Sequence, residues 1–488
     1  MAETNSKTLK VLFVASEALP FASTGGLADV IGSLPPILKR EGVDARVIIP
    51  YYSMFKQKNL PEISFMFDFR VQLAWRDQYC GIFTAEHNGV TFYFVDNDYY
   101  FKRMSLYGSY DDGERYAFFS KAVLDVLPKL ENNEGFFPDI IHTNDWQTAL
   151  VGIYLKQVYR KVDFRYRPIR VVHSIHNIEY QGVFDHCILG DVFDLDQEYA
   201  SIVDYNGAIN LTKGAVVCCD RLTTVSPTYA NQIKTPAYAS GLHYIINQYA
   251  FKTVGIINGI DQDYYDPSRD PDIVKTYKTV SGKAKNKAAL QEELHLPVNP
   301  NTPMISMITR LTSHKGVDLV VAVIEELLQE DVQFVLLGTG DVGFEAFFKR
   351  LASNYPEKVR AMIKYDKALS KKIYAAADLF LMPSKSEPCG LAQMIASRYG
   401  AIPLVRETGG LYDTIRYYDE ETGEGNGFTF ANYNAHDMLF TVRKALTLYR
   451  EQPERWNALA DVCMKKNFSW DIPAKEYLAL YEEIINLD

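Results

Sequence analysis

Residues 383–410 read PSKSEPCGLAQMIASRYGAIPLVRETGG, and their pattern decides the fold class. A short apolar run at 379–382 precedes this stretch and predicts a buried strand. A polar loop with Glu387 follows, then a helix over 390–399, then a second strand over 402–405. This order predicts a parallel α/β sheet, with Glu387 at the sheet edge where such folds bind ligands.

The predicted helix begins near Cys389 and Gly390, so its free backbone N–H groups would point at that ligand-binding edge. Helix N-termini of this kind bind phosphate. The less specific interpretation is an ordinary βαβ unit with an exposed glutamate.

Size and charge narrow the class of protein. A chain of 488 residues is too long for one hydrophobic core, so two large domains are expected. The formal net charge of -10 argues against nucleic acid as a partner, and the basic residues form no block for a membrane surface. Six cysteines without zinc spacing and a polar N-terminus without a signal segment predict a cytoplasmic protein.

Four other polar residues follow predicted strands. Asp145 follows a predicted strand over 138–142, where it could bind a ligand or simply cap the next helix. His176 comes after another, although a lone histidine is more often structural. Arg310 and Lys315 share one strand-to-helix loop. They can clamp a diphosphate, and two solvated surface charges are the plainer alternative.

Two motifs resemble bacterial glycogen synthase and plant starch synthase. They are S-x-x-E-P-C-G-L at 384–391 and R-Y-G-x-x-P-x-V-R-x-T-G-G-L at 398–411, and further matches cover nearly the whole chain. The resemblance implies a GT-B architecture, in which two Rossmann-like α/β domains face each other across a cleft. It also implies transfer of glucose from a nucleotide-glucose, preferably ADP-glucose, to the non-reducing end of an α-1,4-glucan (glycogen or starch), with retention of configuration and with neither metal nor cofactor.

The same resemblance assigns the domains. An acceptor-side domain is expected over 1–257 and a nucleotide-sugar-binding domain over 258–471. The C-terminal helix, 472–488, is expected to pack back on the first domain.

The resemblance also assigns roles to individual residues of this chain. The residues expected in catalysis are Glu387, Arg310, Lys315 and His176. Those expected to bind the donor are Ser23, Gly25, Gly26, Asp29, Asn258, Gly338, Tyr365, Cys389, Gly390, Leu391, Thr408, Gly409 and Gly410. Those expected to bind the acceptor are Tyr110, Asp145, Trp146 and Asn177.

Two positions depart from the family pattern and keep alternatives open. Ser23 stands where the family has a lysine beside the donor phosphates, and Gln147 stands where a histidine is commoner. A missing cation weakens charge compensation at a diphosphate, so UDP-glucose or a relaxed donor preference is one alternative. A glucan-binding relative without activity is another. A glucan phosphorylase would need a cofactor-bearing lysine in a context that the sequence does not contain.

Overall fold

The computed structural model describes residues 8–53 and 60–487. The chain divides into two units, which are described separately below. Unit 1 comprises Met1–Asn258 and Trp470–Asp488, and unit 2 comprises Gly259–Ser469. The division expected from the sequence had its boundaries after residues 257 and 471.

The main sheet of unit 1 has nine strands in the order β12-β11-β7-β6-β1-β2-β5-β4-β3. Strands β12 through β5 in this order pair in parallel, and β4 pairs antiparallel with both of its neighbours. Strands β8, β10 and β9 form a small antiparallel sheet. The bounds are β1 Lys10–Val14, β2 Asp44–Pro50, β3 Ser64–Leu73, β4 Arg76–His87, β5 Val90–Asp96, β6 Ile140–Asn144, β7 Arg170–Ile175, β8 Val183–Phe184, β9 Asp204–Tyr205, β10 Ala208–Asn210, β11 Arg221–Thr224 and β12 Thr253–Gly255.

Sheets of parallel strands are covered by helices, which bury an apolar stripe against them. Gly26–Arg40 shows the pattern that drives this packing, because it buries an apolar stripe that includes Val30, Leu34 and Leu38. The α-helices are Gly26–Arg40, Asp98–Phe101, Asp112–Asp125, Leu127–Glu134, Ala149–Tyr154, Arg160–Val162, Ile188–Asp191, Ala200–Val203, Leu211–Cys218, Pro227–Gln232, His243–Gln248 and Asp471–Ile485, with a π-helical segment at Leu155–Tyr159 and 3-10 turns at Trp146–Thr148, Phe164–Tyr166, Gln197–Tyr199 and Ala250–Lys252.

The sequence pattern over residues 114–130 predicts one continuous helix, which the structure does not contain. Two helices occur instead, Asp112–Asp125 and Leu127–Glu134. Pro128 lies in the first turn of the second helix. Proline has no N–H to donate and clashes with the preceding turn, so one helix ends and a new one begins there.

The C-terminal helix Asp471–Ile485 belongs to unit 1 and joins its sheet through a buried polar contact. The hydroxyl of Tyr481 lies 2.7 Å from Nδ1 of His142 on β6, and both side chains are buried. A central strand of the sheet is therefore joined to the C-terminal helix.

Unit 2 is built on one six-stranded parallel sheet in the order β15-β14-β13-β16-β17-β18. Numbered within the unit, this order is 3-2-1-4-5-6, that of the Rossmann fold. In unit 1 the parallel strands, numbered the same way, run 3-2-1-4-5-6-7. The predicted α/β class with two Rossmann-like units is confirmed. The bounds are β13 Met304–Ile308, β14 Gln333–Leu337, β15 Val359–Met362, β16 Leu379–Met382, β17 Ile402–Arg406 and β18 Phe428–Phe430.

The core of unit 2 lies between its sheet and the flanking helices. Val317–Leu327 buries Val320, Val323 and Ile324 against strand residues such as Phe334. The α-helices are Lys283–Glu293, Val317–Leu327, Val342–Asn354, Lys367–Ala376, Ala392–Arg398, Gly409–Thr414, Ala435–Glu451 and Pro453–Lys465, with 3-10 turns at Val280–Gly282 and Ser313–Lys315.

Candidate functional site

Each Rossmann-like sheet has a switch point, the place where the strand order reverses. Connections from the two strands there leave in opposite directions, so a crevice opens beyond their carboxyl ends. In unit 2 the switch point lies between β13 and β16, and in unit 1 between β1 and β6. The loops after these four strands carry most of the charged residues predicted for catalysis or binding.

An ion pair joins the two loops at the switch point of unit 2. Nζ of Lys315, on the loop after β13, lies 2.9 Å and 2.7 Å from the two carboxylate oxygens of Glu387, on the loop after β16. The hydroxyl of Ser384 donates to Oε2 of Glu387 at 3.1 Å. Glu387 is only 6% exposed, so both of its oxygens are held in a fixed position. The sequence predicted both residues of this pair but not their contact.

The two loops are also packed backbone to backbone. The backbone N–H of Lys385 donates to the carbonyl of His314 at 2.8 Å. Gly316 has a φ of 75°, and a Cβ on it would lie 2.1 Å from the carbonyl oxygen of Pro383. Only glycine fits at this position, because a side chain would separate the loops and with them the ion pair.

A third loop, after β17, packs against the backbone of Glu387. The backbone N–H of Gly410 lies 3.2 Å from the carbonyl oxygen of Glu387 and 3.1 Å from that of Pro388. Gly409 has a φ of 46°, and a Cβ on it would lie 1.9 Å from the same Glu387 oxygen. Close packing therefore accounts for these two glycines, and Thr408 beside them is buried. Whether they also contact a donor stays a prediction.

The helix after Glu387 begins later than predicted. It runs over Ala392–Arg398, and Gly390 has a φ of 73°, outside helical geometry. The side-chain amide of Gln393 donates to the carbonyl oxygens of Cys389 and Gly390 at 3.1 Å and 2.9 Å. The predicted start near Cys389 and Gly390 is therefore too early by about two to three residues, since these two residues form a turn with Leu391 before the helix.

Three other predicted residues lie at the same edge of the unit 2 sheet. Arg310 follows β13 and is exposed, and its guanidinium has no hydrogen-bond or ion-pair partner within residues 8–53 and 60–487. Gly338 follows β14, and a Cβ on it would lie 1.8 Å from the carbonyl oxygen of Thr309. Tyr365 lies beyond β15 and is 86% exposed. None of the three contacts Glu387 through a hydrogen bond among the described residues.

At the switch point of unit 1, Asp145 and His176 are brought together. The backbone N–H of His176 donates to Oδ1 of Asp145 at 2.7 Å. Asp145 therefore does not cap the following helix, and the simpler role considered for it is wrong. Its backbone has a φ of 56° and a ψ of 180°, a conformation that is strained for any residue but glycine. Burial raises the pKa of Asp145 to about 7.

The His176 ring has a defined protonation state. Burial lowers its pKa to about 4, so the ring is neutral near pH 7. Its Nε2 lies 2.8 Å from Oδ1 of Asn144, while the Asn144 amide nitrogen donates to the carbonyl of Val14 at 3.0 Å. Because Oδ1 can only accept, Nε2 carries the proton and Nδ1 is an acceptor.

The remaining predicted acceptor residues differ in their surroundings. Trp146 is partly buried, with ring centroids 5.4 Å from Tyr116 and 5.7 Å from Phe184. Oδ1 of Asn177 accepts the backbone N–H of Glu179 at 3.0 Å. Tyr110 is fully exposed. The hydrogen bonds of the described residues do not join these three side chains to Asp145.

The glycine turn after β1 rests on a residue that sequence reasoning missed. Ser23, Gly25 and Gly26 are exposed, and Asp29 is half-buried in the first turn of the following helix. The backbone N–H and the hydroxyl of Thr24 both donate to Oε2 of Glu17, at 2.5 Å and 2.8 Å.

Glu17 is buried, and burial raises its pKa to about 7. The available sequence signal was its position, since it follows β1 almost directly and precedes the glycine turn.

Asn258, the last residue of unit 1's first segment, is the remaining predicted donor contact. Its side chain is buried, and Oδ1 has no hydrogen-bond partner within the described part of the chain. A buried amide oxygen without a partner is unfavourable, so a ligand or water that donates a hydrogen bond would be stabilised there.

No helix within 8–53 and 60–487 has the length and apolar character needed to span a bilayer. No three His, Cys, Asp or Glu side chains in the same ranges are grouped so as to hold a metal ion.

Comparison with known proteins extends over almost the full chain. Residues 10–248 match the family "Starch synthase catalytic domain", and residues 291–461 match "Glycosyl transferases group 1". Glycogen synthase of Geobacillus thermodenitrificans is 48% identical over 481 residues, covering 98% of each chain. Glycogen synthase of Clostridium perfringens is 48% identical over 483 residues, covering 98% of this chain and 99% of the relative.

A solved structure agrees with these sequence matches. The catalytic domain of Starch Synthase IV from Arabidopsis thaliana, bound to ADP and acarbose, is 34% identical and superposes with a TM-score of 0.91. The match covers 98% of this chain and 100% of that one. The predicted resemblance, the GT-B fold and the enzyme class are thereby confirmed. The chain belongs to the glycogen synthase and starch synthase family of glucosyltransferases.

Proposed function

We propose that the protein transfers glucose from ADP-glucose to the non-reducing end of an α-1,4-glucan, with retention of the α configuration. The observation that carries the proposal is the Lys315–Glu387 pair at the switch point of unit 2. A cation and a carboxylate held together there suit a reaction in which positive charge develops on a sugar and negative charge on a leaving diphosphate. The ADP bound to the related Starch Synthase IV supports adenine as the donor base.

In this mechanism Arg310 and Lys315 bind the diphosphate. Arg310 is exposed, and a planar guanidinium can hold two phosphate oxygens at once. Lys315 is already paired with Glu387, so an arriving phosphate would share its ammonium group with the carboxylate. As the glycosidic bond to the phosphate breaks, the leaving oxygen gains charge, and both cations stabilise that charge more strongly than they stabilise the ground state.

Glu387 acts by charge rather than as a nucleophile. Both of its oxygens accept hydrogen bonds, and the side chain is buried, so attack on the anomeric carbon would require breaking these contacts. An ionised carboxylate in this position stabilises an oxocarbenium-like sugar. The acceptor hydroxyl then attacks on the face that the diphosphate leaves. The leaving phosphate oxygen takes the hydroxyl proton, and the configuration is retained.

The switch point of unit 1 supplies hydrogen bonds to uncharged sugar groups. Nδ1 of His176 can accept from a hydroxyl of the donor glucose. Asp145 and Asn177 offer polar groups to the acceptor glucan, and Trp146 and Tyr110 offer aromatic rings against which a sugar can stack.

The remaining donor contacts are proposed from the resemblance to the family and from residues that follow strands of the two sheets. Tyr365 would stack on the base, since its ring is largely exposed. The further donor-binding residues are Ser23, Gly25, Gly26, Asp29, Asn258, Gly338, Cys389, Gly390, Leu391, Thr408, Gly409 and Gly410.

The test is to incubate the protein with glycogen and either ADP-glucose or UDP-glucose, and to measure nucleotide release and chain extension. We expect both donors to react, with a higher kcat/KM for ADP-glucose. The added residues should be removed by an exo-hydrolase specific for α-1,4 linkages. A protein that binds glycogen but releases nucleotide from neither donor would overturn the proposal, and resistance to the exo-hydrolase would overturn retention.

A further inference from the structure

The carboxylate of Glu17 has no part in the mechanism above, although it lies at the switch point of unit 1. It follows β1 by three residues and is 3% exposed. The segment that carries it is fixed on two sides. The hydroxyl of Tyr52 donates to the carbonyl of Ser16 at 2.9 Å, and the Ser16 hydroxyl lies 2.7 Å from the hydroxyl of Tyr107. A buried acid on such a rigid support can fix whatever it binds.

What Glu17 binds is the turn at residues 23–26. Oε2 accepts both the backbone N–H and the hydroxyl of Thr24, and a Cβ added to Gly25 would lie 4.0 Å from Oε1. Glu17 therefore lies directly beneath Thr24 and Gly25, while the turn itself is exposed. The helix Gly26–Arg40 begins at the next residue, so the same contacts orient its first turn.

The charge on Glu17 is unusual in its surroundings. The groups that face it are the Asp29 and Asp145 carboxyls, the phenols of Tyr107 and Tyr116, and Thr24. No ion-pair partner for it occurs among the described residues. Burying an acid without a cation beside it is unfavourable, and the hydrogen bonds from Thr24 offset part of that cost.

We propose that Glu17 is a positioning residue, which holds the turn at 23–26 in the conformation that binds the donor. The proposal rests on the donor-side role proposed above for Ser23, Gly25 and Gly26. Glu17 acts through Thr24 and does not touch the reacting atoms. Its removal should weaken donor binding while the chemical step and acceptor binding stay nearly unchanged.

The experiment compares Glu17→Ala with the conservative Glu17→Gln, whose side-chain carbonyl can still accept from Thr24. A second pair tests the partner: Thr24→Val removes the hydroxyl and Thr24→Ser keeps it. We expect Glu17→Ala to raise the donor KM at least tenfold with kcat within threefold of wild type. Glu17→Gln should restore the donor KM to within threefold. Thr24→Val should raise it about threefold to tenfold, and Thr24→Ser should not.

Three results would overturn the proposal. An unchanged donor KM in Glu17→Ala would leave Glu17 with no role in the turn's binding conformation. A kcat lowered a hundredfold with an unchanged KM would mean that Glu17 touches the reacting atoms. Equal loss in Glu17→Ala and Glu17→Gln would mean that accepting from Thr24 is not its function. Activity of the wild type with ADP-glucose and glycogen, measured first, separates these results from failure of the proposed function.

Discussion

Replacing Glu387 by glutamine tests the centre of the proposed mechanism. The substitution keeps the shape of the side chain and one carbonyl oxygen, but it removes the negative charge and turns an N–H₂ group toward Lys315. At the observed separation of 2.7 Å, Coulomb attraction at an effective dielectric constant of 20 is about 6 kcal/mol, before the cost of burying the carboxylate is subtracted. Breaking a fully buried pair typically costs about 3–5 kcal/mol. Because 18% of the Lys315 side chain is exposed, we expect Glu387→Gln to lower the free energy of unfolding by about 2–3 kcal/mol.

The effect on turnover should be larger than the effect on stability. Removing one preorganised electrostatic contact from a transition state typically lowers kcat by about 10²–10³. We therefore expect Glu387→Gln to fold, to bind donor with a KM within a few-fold of wild type, and to lose most of its turnover. The assay measures kcat and KM with ADP-glucose and glycogen, beside a thermal unfolding scan.

Asp378→Asn is the matched control. Oδ2 of Asp378 lies 2.7 Å from Nζ of Lys287, and the two side chains are 14% and 6% exposed, so this pair resembles Lys315–Glu387. Asp378 precedes β16, at the opposite end of the strand from Glu387. The control should lose stability without losing turnover of the folded protein. If Glu387→Gln keeps more than about a third of wild-type kcat, or if the control loses as much, the carboxylate charge is not part of the mechanism.

Four further outcomes are expected. Arg310→Ala and Lys315→Ala should each weaken donor binding and slow turnover, with a loss of about 1.5–3 kcal/mol for the contact removed. Only Lys315→Ala should lower the unfolding midpoint, because it leaves Glu387 buried without its partner. A chelator should leave activity unchanged, since these two cations supply the positive charge; strict dependence on added magnesium would contradict this. Ser23→Lys should tighten donor binding by roughly 0.5–2 kcal/mol, measured as donor KM for both nucleotides, and unchanged values would mean that position 23 does not face the phosphates. Burial raises the pKa of Glu17 to about 7, so the folded state holds a proton that the unfolded state releases above about pH 4.5. The free energy of unfolding should therefore fall by roughly 2–4 kcal/mol between pH 4.5 and 7 relative to that of Glu17→Gln. Parallel plots of unfolding free energy against pH for the two proteins would refute the shift.

The sequence predicted the elements that local pattern controls. Buried parallel strands are short apolar runs, so β16 was predicted with its observed bounds. Contacts between distant segments could not be read in this way. Lys315 and Glu387 are joined only because β13 and β16 are neighbours in the sheet, and no local pattern reports which strands pair.

Glu17 was missed for the same reason. Its position just after β1 was an available signal, but the residues around it do not distinguish a buried acid from an exposed one, and its partner Thr24 lies across a turn. The late start of the helix at Ala392 had a different cause. Gln393 satisfies the carbonyls of the preceding turn with its side chain, and propensity does not report such a contact.

The two switch points differ in charge, and this difference supports the roles proposed above for the two units. In unit 2 the carboxylate of Glu387 is matched by Lys315, and Arg310 adds a further exposed cation, so the net charge of the three residues favours an anionic diphosphate. In unit 1 the carboxyls of Glu17 and Asp145 have no ion-pair partner among the described residues, and His176 is neutral. Such a site suits the uncharged hydroxyls of a sugar. Since Ser23 adds no cation there, we expect recognition of the diphosphate to depend mainly on Arg310 and Lys315 of unit 2.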